Sequence, residues 1–172
     1  MTKFVYIFLW TGICCLLEIL LRNFGLFFPC CALFVFYAST AFGVGWGMTA
    51  ACLGALSLDF TASGASHPWS VLIFSSVVYL SEIWLRKIEA DSILINFLPG
   101  AVIPVLVWLL SVFFFAQHIP AVLTEQFPIL FPAAAAGSVL LPLLIFLLDT
   151  LNMKLNLPLF TDAKLKQKLS LQ

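Results

Sequence analysis

Charged side chains are scarce in this chain. Of its 172 residues only 9% are Asp, Glu, Lys or Arg, whereas 63% are hydrophobic. Ordinary soluble domains carry about 25% charged residues. A mean hydropathy of +1.12 leaves too few polar side chains to cover a water-exposed surface. The scarcity of charge therefore excludes a water-soluble globular domain.

Motifs that carry chemistry are also missing. The sequence has no glycine-rich phosphate loop, no nucleotide motif and no Cys/His cluster. Its five cysteines lie in apolar runs without the C-x-x-C spacing, so they are interpreted as small packing residues. They are Cys14, Cys15, Cys30, Cys31 and Cys52. We predict a protein that is not an enzyme and has no catalytic residues, cofactor, metal or nucleic-acid partner.

Apolar runs, in contrast, are abundant. Six of them make up most of the chain, and at about 20 residues per membrane span they leave no room for a soluble domain. The runs are Phe4–Leu21, Pro29–Phe42, the segment after Gly47 up to Asp59, Trp69–Leu85, Phe97–Ala116 and Ile129–Leu148. Polar, turn-rich segments at 61–68 and 117–128 are predicted loops. The sequence thus predicts one all-α membrane domain over residues 1–172, a bundle of six transmembrane helices.

The number of spans depends on Gly43–Gly47, which separates the second run from the third. Fused into one helix these runs would extend about 46 Å, well beyond a hydrocarbon core of about 30 Å, so a tight hairpin is favoured. Seven basic residues then lie on the side of both termini and only Arg22 on the other, which predicts cytoplasmic termini. In a five-helix alternative, runs two and three are fused and the N-terminus lies outside. This arrangement also places seven basic residues on one side of the membrane and one on the other.

Along the third run, small residues recur at intervals of four, and a carboxylate ends this series. Gly43, Gly47, Ala51, Ala55 and Asp59 share one helix face. Such stripes let helices approach closely in lipid, and an acidic group inside or near the bilayer faces protein or water. We therefore predict that these five residues pack against another helix or contact a partner.

Two further acidic residues are predicted to pair along their own helices. Glu18 lies four residues before Arg22, and Glu82 lies four residues before Arg86.

A protease-like pair of carboxylates is disfavoured. The predicted topology places Asp59 near the outer face, whereas Glu82 and Asp149 lie near the inner one, so they do not meet to share a proton. His118 and Glu125 are two isolated residues in one predicted loop, which is too few for a metal site.

At this point the residues resemble a known family. The segment Gly54-Ala-Leu-Ser-Leu-Asp59-Phe-Thr-Ala-Ser-Gly64 is similar to the glycine–apolar–Leu-Asp–apolar–Ser-Gly pattern of the bacterial rod shape-determining protein MreD family. In the sixth run, Gly137-Ser-Val-Leu-Leu-Pro142 followed by a basic tail is similar as well. The resemblance makes Gly64, Gly137 and Pro142 further candidates for helix packing or partner contact. Ala55 stands where the family usually has glycine.

The resemblance implies a non-enzymatic, multi-pass protein of the bacterial cytoplasmic (inner) membrane. Its expected partner is a single-pass scaffold of the MreC type, and that complex links actin-like MreB filaments to the peptidoglycan synthases of cell elongation. The basic tail, at about 152–172, is expected on the cytoplasmic side against anionic membrane lipids. The family's fold is similar to the six-helix substrate-binding subunits of vitamin transporters. A substrate-binding membrane subunit of a small-molecule transporter is therefore the alternative function.

Overall fold

The computed structural model of this protein describes residues 2–61, 69–87, 97–115 and 119–162, and these residues form helices and no β-strand. The predicted all-α class is thereby confirmed. The helices are α1 (Thr2–Asn23), α2 (Cys30–Phe42), α3 (Val44–Thr61), α4 (Trp69–Lys87), α5 (Phe97–Phe115) and α6 (Ile119–Lys154).

Three stretches of described helix are long and apolar enough to cross a membrane. They are Lys3–Asn23 in α1, Phe97–Phe114 in α5 and Phe127–Lys154 in α6. The α2 helix is apolar but has only 13 residues. This composition is compatible with a membrane protein.

Side-chain contacts fix the relative directions of the first three helices. The Tyr6 ring of α1 lies 5.7 Å from the Phe42 ring at the end of α2, whereas the start of α2 lies beside Glu18. Along the next pair, Gly47 faces Ser39 and Gly54 faces Cys31. Each of these helices therefore runs opposite to the one before it.

The later helices continue this alternation. Asp59 at the end of α3 meets Ser70 at the start of α4, and Trp69 stacks on Phe114 near the end of α5. The end of α6 returns to α2, where Asp149 meets Tyr37. We call the end of the bundle where α1 begins and α6 finishes the proximal end, and the opposite one the distal end.

The shortest of the six named helices, α2, is also the most enclosed. In α2, every residue from 31 to 41 is buried. Because α1, α3, α4, α5 and α6 all contact it, α2 forms the centre of the bundle. Its apolar character on every face follows from this position, since no side of the helix meets solvent.

A single glycine separates α2 from α3. Gly43 has φ 97°, a left-handed conformation that glycine adopts without strain. Its amide donates to the Ser39 carbonyl at 3.1 Å, and the amide of Gly47 donates to the Gly43 carbonyl at 3.0 Å. The predicted five-residue break is therefore wrong in extent, because residues 44–47 already form the first turn of α3. The one fused helix of the five-helix alternative does not form.

The prediction of a loop over 117–128 is wrong from residue 119 onward. Helix α6 begins at Ile119 and continues through Pro128, Pro132 and Pro142. An internal proline removes one backbone hydrogen bond, but in apolar surroundings neighbouring groups satisfy the freed carbonyl and the helix continues. With 36 residues, α6 is the longest helix described.

The helix also runs three residues into the predicted tail. Asn156, with φ 52°, ends α6, and the amide of Leu157 donates to the Asn152 carbonyl at 2.9 Å. This is the Schellman arrangement that commonly closes a helix.

Candidate functional site

Asp59 lies at the distal end of α3, where two helices meet. It is half-buried, and its Oδ1 accepts a hydrogen bond from the Ser70 hydroxyl of α4. Its Oδ2 is covered and has no hydrogen-bond partner among the described residues. The next residue, Phe60, is 84% exposed. At the distal end, the half-buried Asp59 therefore lies beside an uncovered aromatic ring.

The small residues that precede Asp59 lie in a helix contact, with one exception. A Cβ added at Gly47 would lie 2.5 Å from the Cβ of Ser39 in α2, so the two helices touch backbone to side chain there. Ala51 and Ala55 are completely buried. Gly43, however, is exposed at the turn before α3 and does not share this face, because its left-handed conformation ends the helical register.

The remaining candidate residues lie elsewhere. Gly64 falls outside the described residues. Gly137 of α6 is buried against Gly100 of α5, and a Cβ on either glycine would collide with the carbonyl oxygen of the other. Pro142 is half-buried inside α6. Since Gly100 and Gly137 bring two backbones into direct contact, they mark the α5–α6 crossing.

Glu18 connects α1 to the start of α2. The predicted ion pair with Arg22 is present, with 2.8 Å between Glu18 Oε1 and Arg22 Nη2. The second carboxylate oxygen accepts the backbone amide of Cys31 at 3.1 Å. Pro29, at the position before α2, has no side-chain group to cap the helix. Glu18 therefore supplies from a neighbouring helix the acceptor that a capping residue normally provides.

A hydrogen-bond cluster that the sequence analysis missed lies at the proximal end. The Tyr37 hydroxyl donates to Asp149 Oδ1 at 2.8 Å and accepts from Asn152 Nδ2 at 2.8 Å. The same amide donates to the Pro158 carbonyl at 3.0 Å, and the Phe160 amide donates to Asp149 Oδ1 at 3.0 Å. The rings of Tyr37 and Phe160 are stacked, with centroids 6.2 Å apart.

This cluster fixes the segment after α6 onto the centre of the bundle. Asp149 accepts the amides of Phe160 and Thr161, the first residues of a further helical stretch, and so acts as its cap. Asp149 and Asn152 lie three residues apart and therefore on one face of α6. This spacing is the feature of the sequence that points to the cluster. Their partners, Tyr37 and Pro158, belong to other segments, so the sequence could not supply the contact.

The carboxylates do not assemble into a catalytic pair within the described residues. Asp59 lies at the distal end, whereas Glu82 pairs with Arg86 and Asp149 pairs with Tyr37, both toward the proximal end. No group of three or more His, Cys, Asp or Glu side chains in the described ranges could hold a metal ion. His67 and His118 lie outside those ranges, and the side chain of Glu125 is not described.

A groove of about 380 Å³ lies along α5 beside α6. Its lining is entirely apolar: Ala101, Val102, Val105, Leu106, Leu109, Leu110 and Ala134. Small-molecule sites normally add a few polar groups that orient the ligand. The groove supplies none of them, so it offers only apolar contact.

The chain was compared with protein-family models, curated proteins and solved structures, and none of the three comparisons finds a match.

Proposed function

We propose that this protein is a non-enzymatic, six-span component of the bacterial inner membrane that binds a single-pass scaffold of the MreC type and organises lateral peptidoglycan synthesis. The observation that carries the proposal is the segment Gly54–Gly64, whose residues resemble the MreD family. Its described part forms the end of α3 and brings Asp59 to the bundle surface.

The distal end supports a protein partner. Phe60, the residue after the half-buried Asp59, is almost fully exposed there. Protein interfaces are enriched in aromatic residues. The scaffold therefore contacts the distal end through this exposed apolar ring.

The proposed protein also has a defined orientation in the membrane. The described basic residues Lys3, Arg86, Lys87 and Lys154 belong to the proximal end, whereas Arg22 belongs to the distal one. Under the positive-inside rule the proximal end is cytoplasmic, both termini are inside, and all six helices cross the membrane. The distal end then faces outward, toward the space in which peptidoglycan is built.

The test is co-purification of the tagged chain with a co-expressed MreC-type scaffold. We expect capture by the native chain, weaker capture by Phe60→Ala, and unchanged capture by Phe146→Ala. Phe146 is a matched control because its ring is 74% exposed on α6, in the half of that helix nearer the proximal end.

Depletion of the protein should round the cells. If the chain instead co-purified with a transporter ATPase, and depletion left cell shape unchanged, the transporter-subunit alternative would replace the proposal.

A further inference from the structure

Two cysteine thiols from different helices touch inside the bundle. The Sγ atoms of Cys15 in α1 and Cys31 in α2 are 3.1 Å apart. Both side chains are buried, and both cysteines are free. The neighbours of the two sulfurs include two backbone carbonyls, Gly54 at 3.8 Å from Cys15 Sγ and Thr11 at 3.9 Å from Cys31 Sγ, and the Ser57 hydroxyl beside Cys15. No group of three or more metal-binding side chains lies here within the described residues.

We propose that Cys15 and Cys31 form a modification site, at which a small apolar disulfide oxidises the two thiols to an intramolecular disulfide bond. A disulfide has an S–S length of about 2.05 Å, so the sulfurs need to approach by only about 1 Å. The helices that carry them are already packed side by side. Small side-chain rotations therefore suffice, without separation of α1 from α2.

The reaction is a pair of thiol–disulfide exchanges. One cysteine, as its thiolate, attacks a sulfur of the co-reactant, whose S–S bond breaks and releases one thiol. The second cysteine attacks the mixed disulfide, forms the Cys15–Cys31 bond and releases the second thiol. Two electrons pass from the protein to the co-reactant, and the two protons lost by the cysteines are taken up by the released thiols.

Burial defines the class of co-reactant. Charged or bulky reagents do not reach thiols enclosed between apolar helices, since reactivity requires access as well as thiolate. A small apolar disulfide can enter through the lipid-facing side. Once formed, the bond links α1 to the first turn of α2 at Cys31, whose backbone amide donates a hydrogen bond to Glu18. This site is independent of scaffold binding, and each proposal is tested by its own experiment.

The test uses purified full-length chain in detergent and the small disulfide 4,4′-dithiodipyridine. In the variant Cys14→Ala/Cys30→Ala/Cys52→Ala, only Cys15 and Cys31 remain. We expect two thiopyridone molecules released per chain and a product lighter by two hydrogen atoms, with no pyridyl group retained. The matched control, Cys15→Ala/Cys31→Ala/Cys52→Ala, keeps Cys14 and Cys30 and should retain pyridyl adducts.

Peptide mapping of the native sequence removes any dependence on how the variants fold. Trypsin separates the α1 cysteines from those of α2, because Arg22 lies between them. A cross-linked peptide pair joined through Cys15 and Cys31 is the expected product. Retained pyridyl adducts on both residues, a bond between other cysteines, or no reaction in folded chain that reacts when denatured would each overturn the proposal.

Discussion

Glu18 makes two contacts whose loss should affect stability differently. It is only 2% exposed, whereas its partner Arg22 has a side chain that is 47% exposed. Loss of the carboxylate therefore leaves Arg22 able to turn to water or lipid head groups. The amide of Cys31 has no such freedom, because it points from a buried helix start toward Glu18. The capping bond, more than the ion pair, should determine the cost of substitution.

Glu18→Leu is expected to lower the free energy of unfolding by about 1–3 kcal/mol, the cost of leaving a buried donor unpaired. Glu18→Gln should lower it less, since the amide oxygen still accepts from Cys31. Glu82→Leu is the matched control: it breaks the other i,i+4 pair, which is exposed, and should change stability by less than about 1 kcal/mol. Equal effects of Glu18→Leu and Glu82→Leu in chemical denaturation would contradict this assignment.

Asp59 should tolerate an amide better than an apolar side chain. Asp59→Asn retains an acceptor for the Ser70 hydroxyl and adds a donor, whereas Asp59→Leu removes the acceptor altogether. We expect near-native yield and scaffold capture for Asn and reduced values for Leu. The measurement is co-purification normalised to the amount of folded chain. Equal and complete loss of capture in both variants would show that the negative charge itself is required.

At the scale of helices, the sequence predicted those helix boundaries that depend on a local residue pattern. The start of α2 after Pro29 and the separation of α2 from α3 followed from proline, from glycine and from the length of the apolar run. The start of α6 did not, because the polar, turn-rich segment 117–128, which contains Pro120 and Pro128, predicts a loop. Proline is tolerated at a helix start, and inside apolar surroundings a single missing hydrogen bond does not end the helix.

Contacts between distant helices were beyond the sequence. The Gly100–Gly137 crossing and the Tyr37–Asp149 bond each join residues that no short-range pattern relates. The stripe along α3 indicated that a close contact exists, but it could not specify Ser39 as the neighbour of Gly47.

The α5–α6 crossing gives a sharp test. Gly137→Ala places a Cβ against the Gly100 carbonyl, and overpacking of this kind costs about 1–3 kcal/mol. Gly12→Ala in α1 meets no atom within 4 Å and should instead stabilise the helix by about 0.5–1 kcal/mol. In thermal unfolding in detergent, Gly137→Ala should lower the melting temperature and Gly12→Ala should raise it. A neutral Gly137→Ala would show that the two backbones are not in contact.

For the whole molecule, the alternating helix directions place the turns on either side of α2, both within the described residues, at opposite ends of the bundle. Gly45 lies just after the proximal turn, and Phe24 lies just after the distal end of α1. If the proposed orientation is correct, Gly45→Cys in a chain lacking native cysteines should react with an impermeant maleimide only from the cytoplasmic side, and Phe24→Cys only from outside. Labelling of intact cells and inverted vesicles measures this. Labelling of both positions from one side would exclude six membrane crossings.

The enclosure of α2 has a consequence for synthesis of the chain. A helix of 13 residues is about 20 Å long and falls short of the roughly 30 Å that a lone spanning helix must cover. The single-residue turn at Gly43 joins it directly to α3. We therefore expect the translocon to release α2 and α3 into the bilayer as one hairpin. Because α1 is inserted before them, the Cys31 amide of α2 can then donate its hydrogen bond to Glu18 of α1. A chain stalled on the ribosome before α3 has emerged would leave α2 outside the lipid.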